Sequence, residues 1–66
     1  MTKKTNVGRT DLIGLPLFED DTVSVSAGKD SEIYIIQVVD GEVFLVNDSE
    51  VIELSFFDDK DIKKLF

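Results

Sequence analysis

The chain has 66 residues, with 14 acids against 7 bases, a formal charge of −7 and a pI near 4.2. Hydrophobic residues make up 42% and charged residues 32%, which fits a folded domain and excludes both a disordered polyelectrolyte and a membrane-embedded chain. Cys, His and Trp are absent, which removes disulfide frameworks, thiolate or imidazole metal sites, and nucleophilic mechanisms built on Cys or His.

A domain of this size buries only about 60% of the surface its unfolded chain exposes, so its core is marginal. Small domains commonly add a disulfide, a metal or a partner to such a core. With no Cys or His, a partner protein or a homodimer is the expected supplement. No apolar run reaches the roughly 18 residues of a bilayer span. The start, Met1-Thr2-Lys3-Lys4-Thr5, lacks the apolar stretch of a signal peptide. The expected setting is the cytoplasm.

Residues 1–10 are polar and aperiodic and read as a flexible N-terminal arm, leaving 11–66 as a single small β-rich domain. Ile13, Leu15 and Leu17 alternate with Gly14 and Pro16, the pattern of a short strand that Pro16 confines to a sheet edge. Glu19-Asp20-Asp21 marks a turn. Val23, Val25 and Ala27 alternate with serines in a half-buried strand from about Thr22. Gly28-Lys29-Asp30-Ser31 reads as a loop.

Glu32 to Val39 is rich in β-branched residues and ends at Asp40-Gly41, a type I′ hairpin signal. Glu42 to Val46 returns, Asn47-Asp48-Ser49 turns, and Glu50 to Leu54 forms the next strand. The sequence Asp30-Ser31-Glu32-Ile33 recurs as Asp48-Ser49-Glu50-Val51, which two copies of the same turn chemistry explain. Ile62, Leu65 and Phe66 fall at i, i+3 and i+4, which predicts a short C-terminal helix. Asp58 or Asp59 would cap it, or Ser55-Phe56-Phe57-Asp58 would form a capping box. The fold class is therefore mainly β (α+β): an antiparallel meander of four to five strands, open or closed in part into a barrel, with one short C-terminal helix.

Glu32–Val39 carries Ile33, Ile35 and Val39 on one face and Tyr34, Ile36 and Val38 on the other. An antiparallel strand with one wet face would be polar there. Two apolar faces call for two covers, with the helix on one side and barrel closure or a partner subunit on the other. Phe56, Phe57, Ile62, Leu65 and Phe66 are expected to complete the core; an exposed Phe56 or Phe57 would instead anchor a partner.

Chemistry-bearing motifs are few. A carboxylate pair at glycosidase spacing needs a sugar-sized cleft that 66 residues rarely enclose, so no enzyme is expected. Asp58-Asp59-Lys60-Asp61 and Glu19-Asp20-Asp21 resemble pieces of a hard-cation site but do not satisfy the EF-hand pattern, and capping and turn roles account for them. The four glycines are isolated and form no phosphate loop. No cofactor is implied.

Charge placement is more informative. Between Asp11 and Asp59 thirteen acids face one base, Lys29, while the remaining bases sit near the two ends. Such a region repels nucleic acid and membrane surfaces and attracts basic partners over a Debye length of about 8 Å. Several acids form i, i+2 pairs, among them Glu19/Asp21, Asp40/Glu42, Asp48/Glu50 and Asp59/Asp61. Along an extended backbone such pairs stand about 6.5–7 Å apart, comparable with successive phosphates of a nucleic-acid strand. The candidate partner-binding residues are Asp20, Asp21, Asp40, Glu42, Asp48, Glu50, Asp58 and Asp59. Turn chemistry, edge protection and solubility provide the plainer account of the same acids.

In size, acidity and β-rich plan, though not in aligned residues, the chain resembles short acidic phage and mobile-element proteins that block host nucleic-acid enzymes by DNA mimicry. That resemblance implies an inhibitor that occupies the basic groove of a nucleic-acid-binding enzyme. The competing expectation is a structural or adaptor module that self-associates or binds a protein through apolar surface.

Overall fold

The computed structural model describes residues 5–27 and 30–65, so the expectations for residues 1–4, Gly28, Lys29 and Phe66 lie outside it. The described chain is mainly β, with seven strands in two antiparallel sheets. Strand β1 (Asn6–Thr10) pairs with β2 (Pro16–Phe18) in a two-stranded ribbon. Half of the segment expected to be an arm is thus a strand. Four residue steps on β1, from Asn6 to Thr10, oppose two on β2, from Phe18 to Pro16. Gly8 absorbs the surplus at φ +79°, its N–H held 2.8 Å from Asn6 Oδ1.

The strand expected from Ile13 begins only at Pro16. Asp11 Oδ1 accepts the N–H groups of Ile13 and Leu15, and Gly14 takes φ +88°, which curls the chain into a turn and leaves Ile13 exposed.

The second sheet has the order β6-β5-β4-β3-β7. Strands β3 (Thr22–Ala27), β4 (Asp30–Val39), β5 (Glu42–Val46) and β6 (Val51–Glu53) form the expected meander. Asp30 and Ser31 belong to β4 rather than to a preceding loop, and Ser31 Oγ lies 3.1 Å from Ser26 Oγ across the ladder. Asp40 and Gly41 take φ 51° and 81°, the two positive values a type I′ turn requires. Asn47 Oδ1 accepts the N–H groups of Ser49 and Glu50 and closes the next turn.

The C-terminal helix is not formed. Two 3-10 turns, Leu54–Phe56 and Asp59–Asp61, lead instead to a strand, β7 (Ile62–Lys64), paired antiparallel with β3. Neither turn has a side-chain cap, so the capping reading of Ser55, Asp58 and Asp59 is corrected too. A single short helix is marginal by itself, whereas the free edge of β3 offers ladder hydrogen bonds. Alternation completes the case. Ile62 is buried opposite Val25, while Lys64 beside Val23 lays its stem inward and its ammonium 3.2 Å from Asp21.

The core forms on one face of this sheet. Val23, Val25, Tyr34, Ile36, Leu45 and Ile62 meet Leu17 of β2 and Leu54 of the connection, with Val7, Val43, Ile52 and Phe57 packed around them. The ribbon and the β6–β7 connection are the cover. The five-stranded sheet remains open, so no barrel closes over its other face. Phe57 reaches the core, but Phe56 is 78% exposed and does not.

These environments predict unequal costs. In urea titrations, Ile36→Ala is expected to lose about 2–5 kcal/mol, and Phe56→Ala less than about 0.5 kcal/mol. Similar losses from both would contradict the assignment of the core.

Candidate functional site: acidic turns and an uncovered sheet face

The fold sorts the predicted acids into different roles. Asp21 is buried, and its Oδ2 accepts the Phe18 N–H at 2.9 Å while pairing with Lys64. Asp59 is half-buried and binds Arg9 Nε at 2.7 Å, with Thr10 Oγ1 donating to its other oxygen at 3.2 Å. Arg9 also donates to the Phe57 carbonyl, tying β1 to the β6–β7 connection. Both acids are internal fasteners.

Asp20, Asp40, Glu42, Asp48, Glu50 and Asp58 are exposed. Among the described residues no salt bridge neutralises any of these six. They do not form one surface. Asp40 and Glu42 stand at one end of β4 and β5, with Asp20 toward the same end, its N–H donating to Ile36 O. Asp48 and Glu50 stand at the other end, where Asp30 and Glu32 also lie. Glu42 and Asp48 are six residues apart along an extended strand, about 20 Å. Asp58 sits apart on the β6–β7 connection.

Glu50 has a further role. It accepts the Tyr34 hydroxyl at 2.9 Å. Burial, then this hydrogen bond and the charges of Glu50 and Glu32, push the Tyr34 phenol up to about 12.

The most engaged carboxylate was not among the predicted site residues. Asp11, 3% exposed, accepts Ile13 and Leu15 on one oxygen and the Lys64 N–H at 3.0 Å on the other. The Lys64 hydrogen bond is the main reason its carboxyl lies below the ordinary value; burial opposes the shift, and the other two N–H groups and the Lys64 charge add to it. The signal in the sequence was Asp11-Leu12-Ile13-Gly14, an Asp opening a turn that ends on Gly.

Two other features bear on function. A cleft of about 260 Å³ lies between Val7, Val43 and Leu54, with Arg9, Glu42 and Glu53 at its rim. That is below the usual size of a small-molecule pocket, roughly 300–1,000 Å³. The uncovered sheet face exposes Ile33, Ile35, Val39 and Val51. Among the described residues no three acids gather as metal ligands, and no helix is long and apolar enough to cross a membrane. Comparisons with protein families, curated proteins and solved structures found no match.

The lone tyrosine, with no tryptophan present, makes the site readable by alkaline ultraviolet titration. The phenolate should appear with a midpoint near 12, and Glu50→Gln should lower it. Burial favours the neutral phenol, so its stabilising contribution is complete below 10.0 and is lost as pH rises through about 12. A wild-type midpoint at the free value would refute the burial of Tyr34.

Asp11 behaves in the opposite sense. Its contribution is complete above 3.8 and is lost as pH falls through the lower folded value. Asp11→Asn should lower the neutral-pH thermal midpoint by on the order of 10 °C, with the two curves converging in acid. A gap that persists unchanged in acid would show that the carboxylate charge is not what matters.

Proposed function

We propose that this protein is a non-enzymatic binding protein that acts in the cytoplasm by engaging a basic protein partner. The partner class is the basic groove of a nucleic-acid-binding enzyme, occupied in place of nucleic acid. One observation carries the reading. Asp40/Glu42 and Asp48/Glu50 project from the turns at opposite ends of β5, exposed and without a cation partner among the described residues.

Uncompensated carboxylates of this kind suit Arg and Lys side chains that otherwise hold phosphates. Their spread over about 20 Å matches a groove rather than a single pocket. Asp20 extends the set at one end; Asp21 and Asp59 drop out because the fold already uses them. A net charge of −7 adds long-range attraction that added salt screens. Nucleic acid itself is not a partner on this reading, because like charge repels it.

The test is affinity capture of a nucleic-acid enzyme from cell lysate, with elution by duplex DNA. The wild type should retain an enzyme that DNA or high salt releases. The variant Asp40→Asn/Glu42→Gln/Asp48→Asn/Glu50→Gln should retain it at least about tenfold more weakly with an unchanged circular-dichroism spectrum. Equal retention by the folded variant would overturn the proposal.

A further inference from the structure

Strand register places a largely apolar row on the uncovered face, running across β3 to β6 and continued by Leu65 just past β7. Thr22, Ile35, Val46 and Val51 are directly paired neighbours. Leu65 extends the row beyond Lys64, its N–H bonded to the Thr22 carbonyl at 2.9 Å. Ile33 flanks the row on one side, and Phe44 and Val39 on the other. Ile35 is 44% exposed and Val51 62% exposed. The ribbon and the connection pack on the opposite face, so this row has no cover within the described chain.

The charges on this face are few and opposed. Lys63 pairs with Ser24 beside Ile33, at one corner. Glu53 pairs with Phe44 at the diagonally opposite corner, with Glu42 close by. Counted from Ile35, Lys63 lies two strands across and two residues along. Glu53 lies two strands across and two residues along in the reverse sense. Lys63 forms no salt bridge among the described residues.

We propose that the occupant of this face is a second copy of the chain, joined by a two-fold axis through Ile35 that sets Lys63 of each copy against Glu53 of the other. An axis lying in the interface and perpendicular to the Lys63–Glu53 diagonal exchanges the two corners. With strands about 4.8 Å apart and residues rising about 3.4 Å, the two sheets then cross at roughly 70°, near the orthogonal class of sheet packing. The same patch serves both copies, as an isologous dimer requires. Apart from Glu42 at its margin, the acids responsible for most of the net charge stand at strand ends, in turns or on the inner side, away from this contact. The patch projects on the order of 400 Å², about half of one partner's share of a standard interface. Association is therefore expected to be weak and seen only at high concentration. This inference stands on a different surface from the acidic turns and does not rest on their proposed role.

Sedimentation equilibrium of the full chain, from low to high micromolar concentration, tests it. The wild type should pass from monomer to dimer. Ile35→Asp should remain monomeric with an unchanged Tyr34 titration, which reports an intact core. Lys63→Glu and Glu53→Lys should each weaken association by about tenfold or more, and the double variant should restore it. A wild type that stays monomeric throughout leaves the face to some other partner and overturns the proposal. So does dimerisation by Ile35→Asp equal to the wild type, or a charge swap that fails to restore association.

Discussion

Asp11 gathers N–H groups from its own turn and from Lys64, 53 positions further along the chain. Its first oxygen holds Ile13 and Leu15 and so shapes the turn between β1 and β2. Its second oxygen holds Lys64 and so docks β7. The adjacent Leu12 N–H adds a bond to the Ile62 carbonyl at 2.8 Å. The turn thereby lies along the outer side of the last strand and covers an edge that would otherwise be bare. Ile62 can be fully buried only if β7 is held there, and Lys64 reaches Asp21 only from that strand. One carboxylate with no side-chain cation on it sets the ribbon, the C-terminal strand and part of the core.

Docking β7 widens the sheet to five strands, and the described elements cover only one of its faces. The ribbon and the β6–β7 connection together bring Leu17, Leu54 and Phe57 to the core face, and among the described residues no element packs on the other side. β4 then exposes Ile33, Ile35 and Val39 while burying Tyr34 and Ile36. The second apolar face of this strand is left without a cover among the described residues. Each apolar residue left in water forgoes about 25 cal/mol for every Å² it could have buried, which is a driving force for association available only between molecules.

Elements with a local cause were legible in the sequence. Asp40-Gly41, Asn47-Asp48-Ser49 and the alternation of Val23 and Val25 act through neighbouring residues alone, and each appears where expected. The C-terminal segment was not legible, because Ile62, Leu65 and Phe66 satisfy a helical spacing while Ile62 and Lys64 satisfy a strand. The choice falls to an open edge on β3, forty residues away, and to an acid at position 21 that receives the lysine. Asp20 and Asp21 show the same limit at closer range. They are chemically alike and adjacent, yet one faces solvent and the other is buried against Phe18 and Lys64. Turn composition identifies both as turn residues; only the path of the chain separates them.

The acidity of the chain is accordingly not one signal. Asp11, Asp21 and Asp59 are consumed by the fold, each holding together segments distant in sequence. Glu50 is shared, since it restrains Tyr34 and still faces water. Asp20, Asp40, Glu42 and Asp48 have no such duty, and they stand at the ends of the sheet, Glu42 at the margin of its uncovered face beside Val39. That separation matters physically. Charges on the apolar face must be desolvated when a partner covers it, so that face carries few of them, Lys63 and Glu53 standing at its corners where a partner can pair them. Charges at the strand ends stay hydrated whether or not the apolar face is covered. An apolar face and an acidic rim can therefore act at the same time on one small sheet, because neither has to be buried for the other to bind.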